Sequence, residues 1–170
     1  SIAAGVTLQR LSAALSPGQR IVRVMPNTPC LIGKGASAYS LGVHANSDDG
    51  ELVAKLFRSV GLAIEVPESL LDAVTGLSGS GPAFVYSMIE AMTEGGVSAG
   101  LDHELAAELA VQTVAGAAEM VRQTGETPAV LRDRVTSPGG TTQAGLIVLD
   151  ERGFRDLIVE AIAAATRRSA

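Results

Sequence analysis

The feature that most constrains this chain is a change of pattern at Pro67. Before it, short β-branched runs alternate with helical stretches; after it, only helical patterns occur. In the first part, Ile2–Ala4 reads as a strand end, and Thr7–Leu15 places Leu8, Leu11 and Leu15 at helical spacing until Pro17-Gly18 stops it. Arg20–Met25 is a β-branched strand closed by Pro26 and Pro29, and Ala36–Val43 forms another. Ser47-Asp48-Asp49 then caps a helix to about Ser59, with Leu52, Val53, Leu56, Phe57 and Val60 as its buried stripe, and Leu62–Val66 is a further strand. Strands alternating with helices define part of an α/β sheet, with too few strands for a complete doubly wound domain. The opening Ser1-Ile2-Ala3-Ala4-Gly5 has no initiator Met and no signal-peptide pattern. It reads as a strand caught mid-domain, so the expectation is a chain without the amino-terminal part of its first domain.

Beyond Pro67 the expected fold is all-α. A helix over Ala83–Thr93 is interrupted or ended at Gly95-Gly96, and Asp102 caps another that runs to about Gln123. This second helix carries Leu105, Ala106, Leu109, Ala110, Val114, Ala117, Ala118 and Val121 around most of its circumference. Such a helix is buried on more than one side, and in a domain of this size the extra cover is expected from another subunit. Thr127-Pro128 starts a short helix to about Val135; the Ser137–Thr142 turn opens one containing Leu146–Leu149; Phe154–Arg167 is terminal. Hydrophobic residues make up 46% of the chain but aromatic ones only 3%, so small side chains let helix axes approach closely.

Several function classes are excluded. With a net charge of −5 and no basic block, nucleic acid is not an expected partner. No apolar run is long enough to cross a bilayer, so no membrane is expected either. Cys30 is the only cysteine, and His44 and His103 lie far apart, which leaves no disulfide and no metal motif. A cytoplasmic protein is the simplest reading.

The chemistry is concentrated in Ser137-Pro138-Gly139-Gly140-Thr141-Thr142. Proline and glycines turn the backbone tightly, and the threonines fall where a helix begins. Unpaired N–H groups and the dipole there suit a small carboxylate. The competing reading is a well-capped helix start alone. Two more segments accompany it: RVMPNTP at Arg23–Pro29, leaving a strand, and DAVTGLSGSGPAF at Asp72–Phe84. With VTSPGGTT at Val135–Thr142, and AAGVTL at Ala3–Leu8 ahead of them, their combination and order resemble the carboxyl-terminal two-thirds of pyrroline-5-carboxylate reductases across essentially the whole chain. The family's amino-terminal strand–turn–helix, with its glycine fingerprint for a dinucleotide, has no counterpart here.

The resemblance implies an α/β followed by all-α fold. Residues 1–67 would be the C-terminal part of a Rossmann-type dinucleotide-binding domain, and residues 68–170 an all-helical dimerisation and substrate domain. It implies hydride transfer from NADPH or NADH to the C=N carbon of 1-pyrroline-5-carboxylate, giving L-proline, in a homodimer or higher homo-oligomer whose helices complete each active site. By the same resemblance Thr141 and Thr142 meet the substrate, with Ser137 nearby and Gly139 and Gly140 adding backbone donors. The Thr142 hydroxyl acts as polariser and proton relay for the ring nitrogen; as a bare sequence feature it reads equally as a helix cap. Glu68 matches a family glutamate near the proline site, or is simply an acidic residue in a first helical turn. Ala3 and Ala4 stand where an open α/β sheet holds nicotinamide, or form a tight strand end. Asn27 lines the same crevice or stabilises its own turn. Arg134 meets a cofactor phosphate or is solvated. Gly76, Gly79 and Gly81 are read as positions of close helix packing beside the active site, the alternative being direct contact with cofactor or substrate; Met88 and Met92 are read as core, and Glu104 and Glu108 as a solvated stripe. Two other readings stand beside this one. A hydroxyacid-type dehydrogenase is weakened because Lys34 and Lys55 both lie in the first half; the other is a non-catalytic helical dimerisation module. The segment alone is expected to dimerise without appreciable turnover.

Overall fold

The computed structural model describes residues 1–170, which divide into two compact units: residues 1–83 with 159–170, and residues 84–158. The first unit is built on a three-stranded sheet, β1 (Val22–Met25), β2 (Gly35–Leu41) and β3 (Gly61–Glu65), in that order across the sheet. β1 runs antiparallel to β2, with Val24 opposite Tyr39, and β2 runs parallel to β3, with Ala38 opposite Ile64. Alternation along the strands sends Val24 and Tyr39 to one face, where they pack with Ala54, and Met25 and Ala38 to the other, where they meet Leu71. Both faces are covered by helix, the α/β arrangement that the alternating pattern predicts.

The cover on the first face is α2 (Ser47–Arg58). Its cap is Asn46, whose side chain accepts from the Asp49 amide while Asp49 accepts from the Asn46 amide, one residue earlier than the expected Ser47-Asp48-Asp49 cap. The stripe that packs against the sheet holds Val53, Ala54 and Phe57, whereas Leu52 and Leu56 are exposed. A short sheet meets only a narrow arc of the helix, so the outer part of the apolar stripe has no strand to face. Ile2–Ala4 is not a strand. The residue before it, Ser1, donates to the Val22 carbonyl and accepts from the Val24 amide, both at 2.8 Å, which is parallel-ladder pairing around Arg23. The chain then turns at Ala4-Gly5, with Gly5 at φ +67°, into α1 (Leu8–Ala14), whose Thr7 cap accepts from the Arg10 amide.

After Pro67, a 3₁₀ turn over Glu68–Leu70 leads into α3 (Leu71–Val74) and a π-helical turn over Thr75–Gly79. The end of α8 (Phe154–Ser169) lies on this turn: a Cβ at Gly76 would overlap the Thr166 hydroxyl and sit 2.8 Å from the Ile162 carbonyl. The glycine is therefore required by packing, as its reading as a close-packing position anticipates.

The second unit is helical, comprising the body of α4 (Gly81–Ser98), α5 (His103–Thr124), α6 (Pro128–Arg134), α7 (Thr141–Glu151) and the start of α8. α4 does not stop at Gly95-Gly96 but continues to Ser98, because Gly96 lets α5 approach: a Cβ there would lie 3.1 Å from that of Ala106. Asp102 caps α5 by accepting from the Glu104 amide, and Gly125 closes it in the left-handed conformation. Only Ala106 and Ala110 of α5 are buried; Leu105, Leu109, Val111 and Met120 are 46–52% exposed. Ile147, Val148 and Leu149 of α7 are likewise exposed. This unit presents extended apolar surface of the kind that marks an interaction face. No helix is long and apolar enough to cross a membrane.

Candidate functional site

At the start of α7, Gly139 adopts φ +71° and Gly140 is the N-cap in an extended conformation. A Cβ on Gly140 would overlap the Ser137 hydroxyl, so the second glycine is needed for space and the first for its backbone angle. Two of the expected donors are already used. The Gly139 amide donates to Oε1 of Gln143 at 2.6 Å, and the Gly140 amide to the Ser137 carbonyl at 3.0 Å. These bonds shape the turn. The amides left pointing out of it are those of Thr141, Thr142 and Gln143, the first three helical residues, which have no helical acceptor. Thr142 is not the cap, so its hydroxyl remains available. Gln143, absent from the sequence-based set, is the residue that locks the turn; the signal was its position four residues beyond Gly139.

The other expected residues lie in the first unit, apart from Arg134. Ala4 and Gly5 line a cavity whose remaining walls are Thr75, Ser80, Ala165, Arg168, Ser169 and Ala170. Ala3 is exposed beside it, its amide donating to the Ser1 hydroxyl at 3.3 Å. Small residues, three hydroxyls and one arginine give the cavity an open floor with polar partners at its edge. Thr75 spends its hydroxyl proton on the Leu71 carbonyl and keeps acceptor capacity.

Three more of the expected residues have partners within the chain. Oε1 of Glu68 accepts from the Leu8 amide at 2.6 Å and from Nη1 of Arg23 at 3.1 Å, while the side chain stays 32% exposed. Asn27 is bonded through both ends of its side-chain amide, in keeping with its reading as a turn stabiliser. Its oxygen accepts from the Ala36 amide at 2.9 Å and its nitrogen donates to the Ser78 carbonyl at 3.0 Å, so it ties the strand exit to the π-helical turn. A π-turn leaves carbonyls without regular partners, and Asn27 satisfies one of them. Arg134, in the second unit, forms a bidentate pair with Glu126 and keeps 60% of its side chain exposed, in keeping with a solvated surface residue.

Sequence reasoning passed over the strongest polar cluster. Arg23 is 2% exposed in the middle of β1. Its guanidinium pairs with Glu68 and lies 3.8 Å from Asp72, which in turn accepts from the Ser169 hydroxyl at 2.8 Å. A charged residue inside a β-branched strand was the available signal, since buried arginines require partners. No group of three His, Cys, Asp or Glu side chains is placed to hold a metal ion.

A helix-covered α/β sheet unit and a helical unit with open apolar faces and free amides at the start of α7 define the class: an α/β portion joined to an all-helical one. A family model described as pyrroline-5-carboxylate reductase dimerisation matches residues 68–170. The chain is 52% identical over 169 residues to a pyrroline-5-carboxylate reductase of Synechocystis and 53% identical to one of Arabidopsis thaliana, in each case covering 99% of this chain. The Plasmodium falciparum pyrroline carboxylate reductase with NADP bound superposes with a TM-score of 0.94 at 38% identity, covering 99% of this chain and 68% of that one. The Coxiella burnetii pyrroline-5-carboxylate reductase does so with a TM-score of 0.94 at 39% identity, covering 99% and 63%. The chain belongs to the pyrroline-5-carboxylate reductase family. It spans 63% of the length of the Synechocystis relative and 61% of the Arabidopsis one.

Proposed function

We propose that the full-length protein reduces 1-pyrroline-5-carboxylate to L-proline with NADPH or NADH, as a cytoplasmic homodimer or larger homo-oligomer. Residues 1–67 belong to its dinucleotide-binding domain and residues 68–170 to its dimerisation and substrate domain, a division supported by the match beginning at residue 68. The observation that carries the reading is the start of α7, where Gln143 and Ser137 shape a turn that leaves the Thr141 and Thr142 amides unpaired, in a chain of this family.

The substrate's carboxylate accepts from those amides. Charge-assisted bonds contribute about 1.5–3 kcal/mol each, and the helix dipole adds roughly 0.3–1 kcal/mol, enough to hold a small acid after association costs. The Thr142 hydroxyl polarises the ring nitrogen, and an iminium accepts hydride far better than an imine. Ser137 and Gly140 hold the turn, and Gly139 supplies the positive φ it needs. The bound dinucleotide supplies the hydride. Ala4 and Gly5, having little or no side chain, let a ring approach the backbone, while Thr75, Ser80 and Arg168 offer polar partners at the edge. No strong acid or base is required of the protein for this reaction.

In the full-length enzyme, Thr142→Ala is expected to lower kcat/KM for pyrroline carboxylate about 100-fold, the low end of the range for loss of one positioned proton-transfer group. Following nicotinamide absorbance gives the measurement, and an unchanged kcat/KM removes Thr142 from the mechanism. A second reading is favoured for the 170-residue segment by the share of its relatives it spans: by itself it is a dimerisation module. It is expected to dimerise without turnover, and normal activity in that segment would overturn this reading.

A further inference from the structure

The walls of the cavity around Ala4 come from three places in the chain: the turn before α1, the π-helical turn after α3, and the last turn of α8. Each is tied to the same buried guanidinium. Glu68, paired with Arg23, also accepts from the Leu8 amide and so fixes the start of α1, which follows the Ala4-Gly5 turn. Asp72, the other carboxylate beside Arg23, belongs to α3, which runs into the turn bearing Thr75. The same Asp72 oxygen accepts from Ser169, across 97 residues of sequence, and holds the end of α8. Arg23 itself is anchored in β1, its backbone paired with Ser40 on one side and flanked by the Ser1 bonds on the other.

We propose that Arg23 is a positioning residue: through Glu68 and Asp72 it sets the spacing between the Ala4-Gly5 turn and the last turn of α8, and with it the fit of the nicotinamide end of the dinucleotide. The assignment of that ligand rests on the proposed function; the mechanical coupling does not. A strand-embedded arginine suits the task because its rigid planar head donates from Nη1 to Glu68 while holding Nη2 3.8 Å from Asp72, an ion pair without a hydrogen bond, whereas a lysine in its place contributes a single point charge. Displacements of about 1 Å in such a wall are enough to cost large factors in turnover.

The test uses the full-length protein and three variants, Arg23→Lys, Glu68→Gln and Ser169→Ala. Hydrogen–deuterium exchange reads the amides of residues 4–8 and 166–170, and titration with NADPH and steady-state kinetics read the ligand. Arg23→Lys is expected to speed exchange in both segments together and to raise the dinucleotide Kd and KM roughly tenfold, with a smaller change in kcat. Ser169→Ala is expected to loosen only residues 166–170, and Glu68→Gln mainly residues 4–8. A folded Arg23→Lys with wild-type exchange in either segment, or with unchanged dinucleotide affinity, overturns the proposal. Should Arg23→Lys fail to fold, Ser169→Ala decides: unchanged exchange at residues 166–170 and unchanged dinucleotide affinity sink the coupling. If the wild-type protein binds no nicotinamide dinucleotide, the functional reading has failed, and the exchange comparison alone then decides the coupling.

Discussion

Glu68 and Arg23 form one ion pair, but losing one is not equivalent to losing the other. The Arg23 side chain is 3% exposed, while those of Glu68 and Asp72 are each 32% exposed. Glu68→Ala strands a buried guanidinium with only the more distant Asp72 for company, and is expected to cost about 3–5 kcal/mol. Arg23→Met lets both carboxylates turn to water and packs apolar atoms in place of the guanidinium, so the cost is expected to stay below about 3 kcal/mol. Urea midpoints of the two variants check the order, and equal losses would refute it. Tyr39 gives a pH signature. Burial first, then the nearby Glu65 carboxylate, raises its pKa above the ordinary 10.0. The folded state therefore keeps a proton that the unfolded state releases. This contribution is whole below pH 10 and is lost as pH climbs through the raised value. Tyr39→Phe is expected to flatten the stability profile above pH 10, measured by denaturation across that range. At this scale the sequence showed which groups were chemically capable, such as Thr142 and Glu68. Whether a capable group was already occupied depended on partners far along the chain, such as Leu8 and Arg23 for Glu68.

Among the elements, the contact between the π-helical turn and α8 is the most sharply constrained. A methyl at Gly76 would meet both a side chain, Thr166, and the backbone of Ile162 and Thr166. Gly76→Ala is expected to destabilise by about 1–3 kcal/mol, the range for overpacking. Adding Thr166→Ala is not expected to restore stability, because backbone atoms cannot step aside; thermal unfolding of the single and double variants measures this. Recovery in the double variant would show that the hydroxyl alone sets the limit. The same backbone closeness explains which element boundaries were legible. Asp102 and Gly125 bracket α5 through local bonds, and both ends were readable to within a residue or two. The end of α4 was not readable, since Gly96 marks a near approach to Ala106 rather than a stop.

For the molecule as a whole, the apolar content exceeds what one chain buries. Ala110 is 4% exposed within the chain, whereas Leu109, its neighbour on α5, is 50% exposed. Leu109→Glu is expected to leave the fold intact and shift the oligomer towards monomer, whereas Ala110→Glu is expected to disrupt folding itself. Light scattering with far-UV circular dichroism separates the two, and a Leu109→Glu protein with unchanged mass would place the interface elsewhere. Periodicity, turn chemistry and three ordered motifs determined the architecture, an α/β portion joined to helices, because hydrophobic spacing and capping act over a few residues and are written locally. They also marked the start of α7 as a place for an anion. Tertiary structure alone decided which donors there remained free, which partners Glu68, Asn27 and Arg134 took, and that a buried arginine sits beside both Glu68 and Asp72. Those outcomes depend on distances between residues far apart in the chain, which no local pattern encodes.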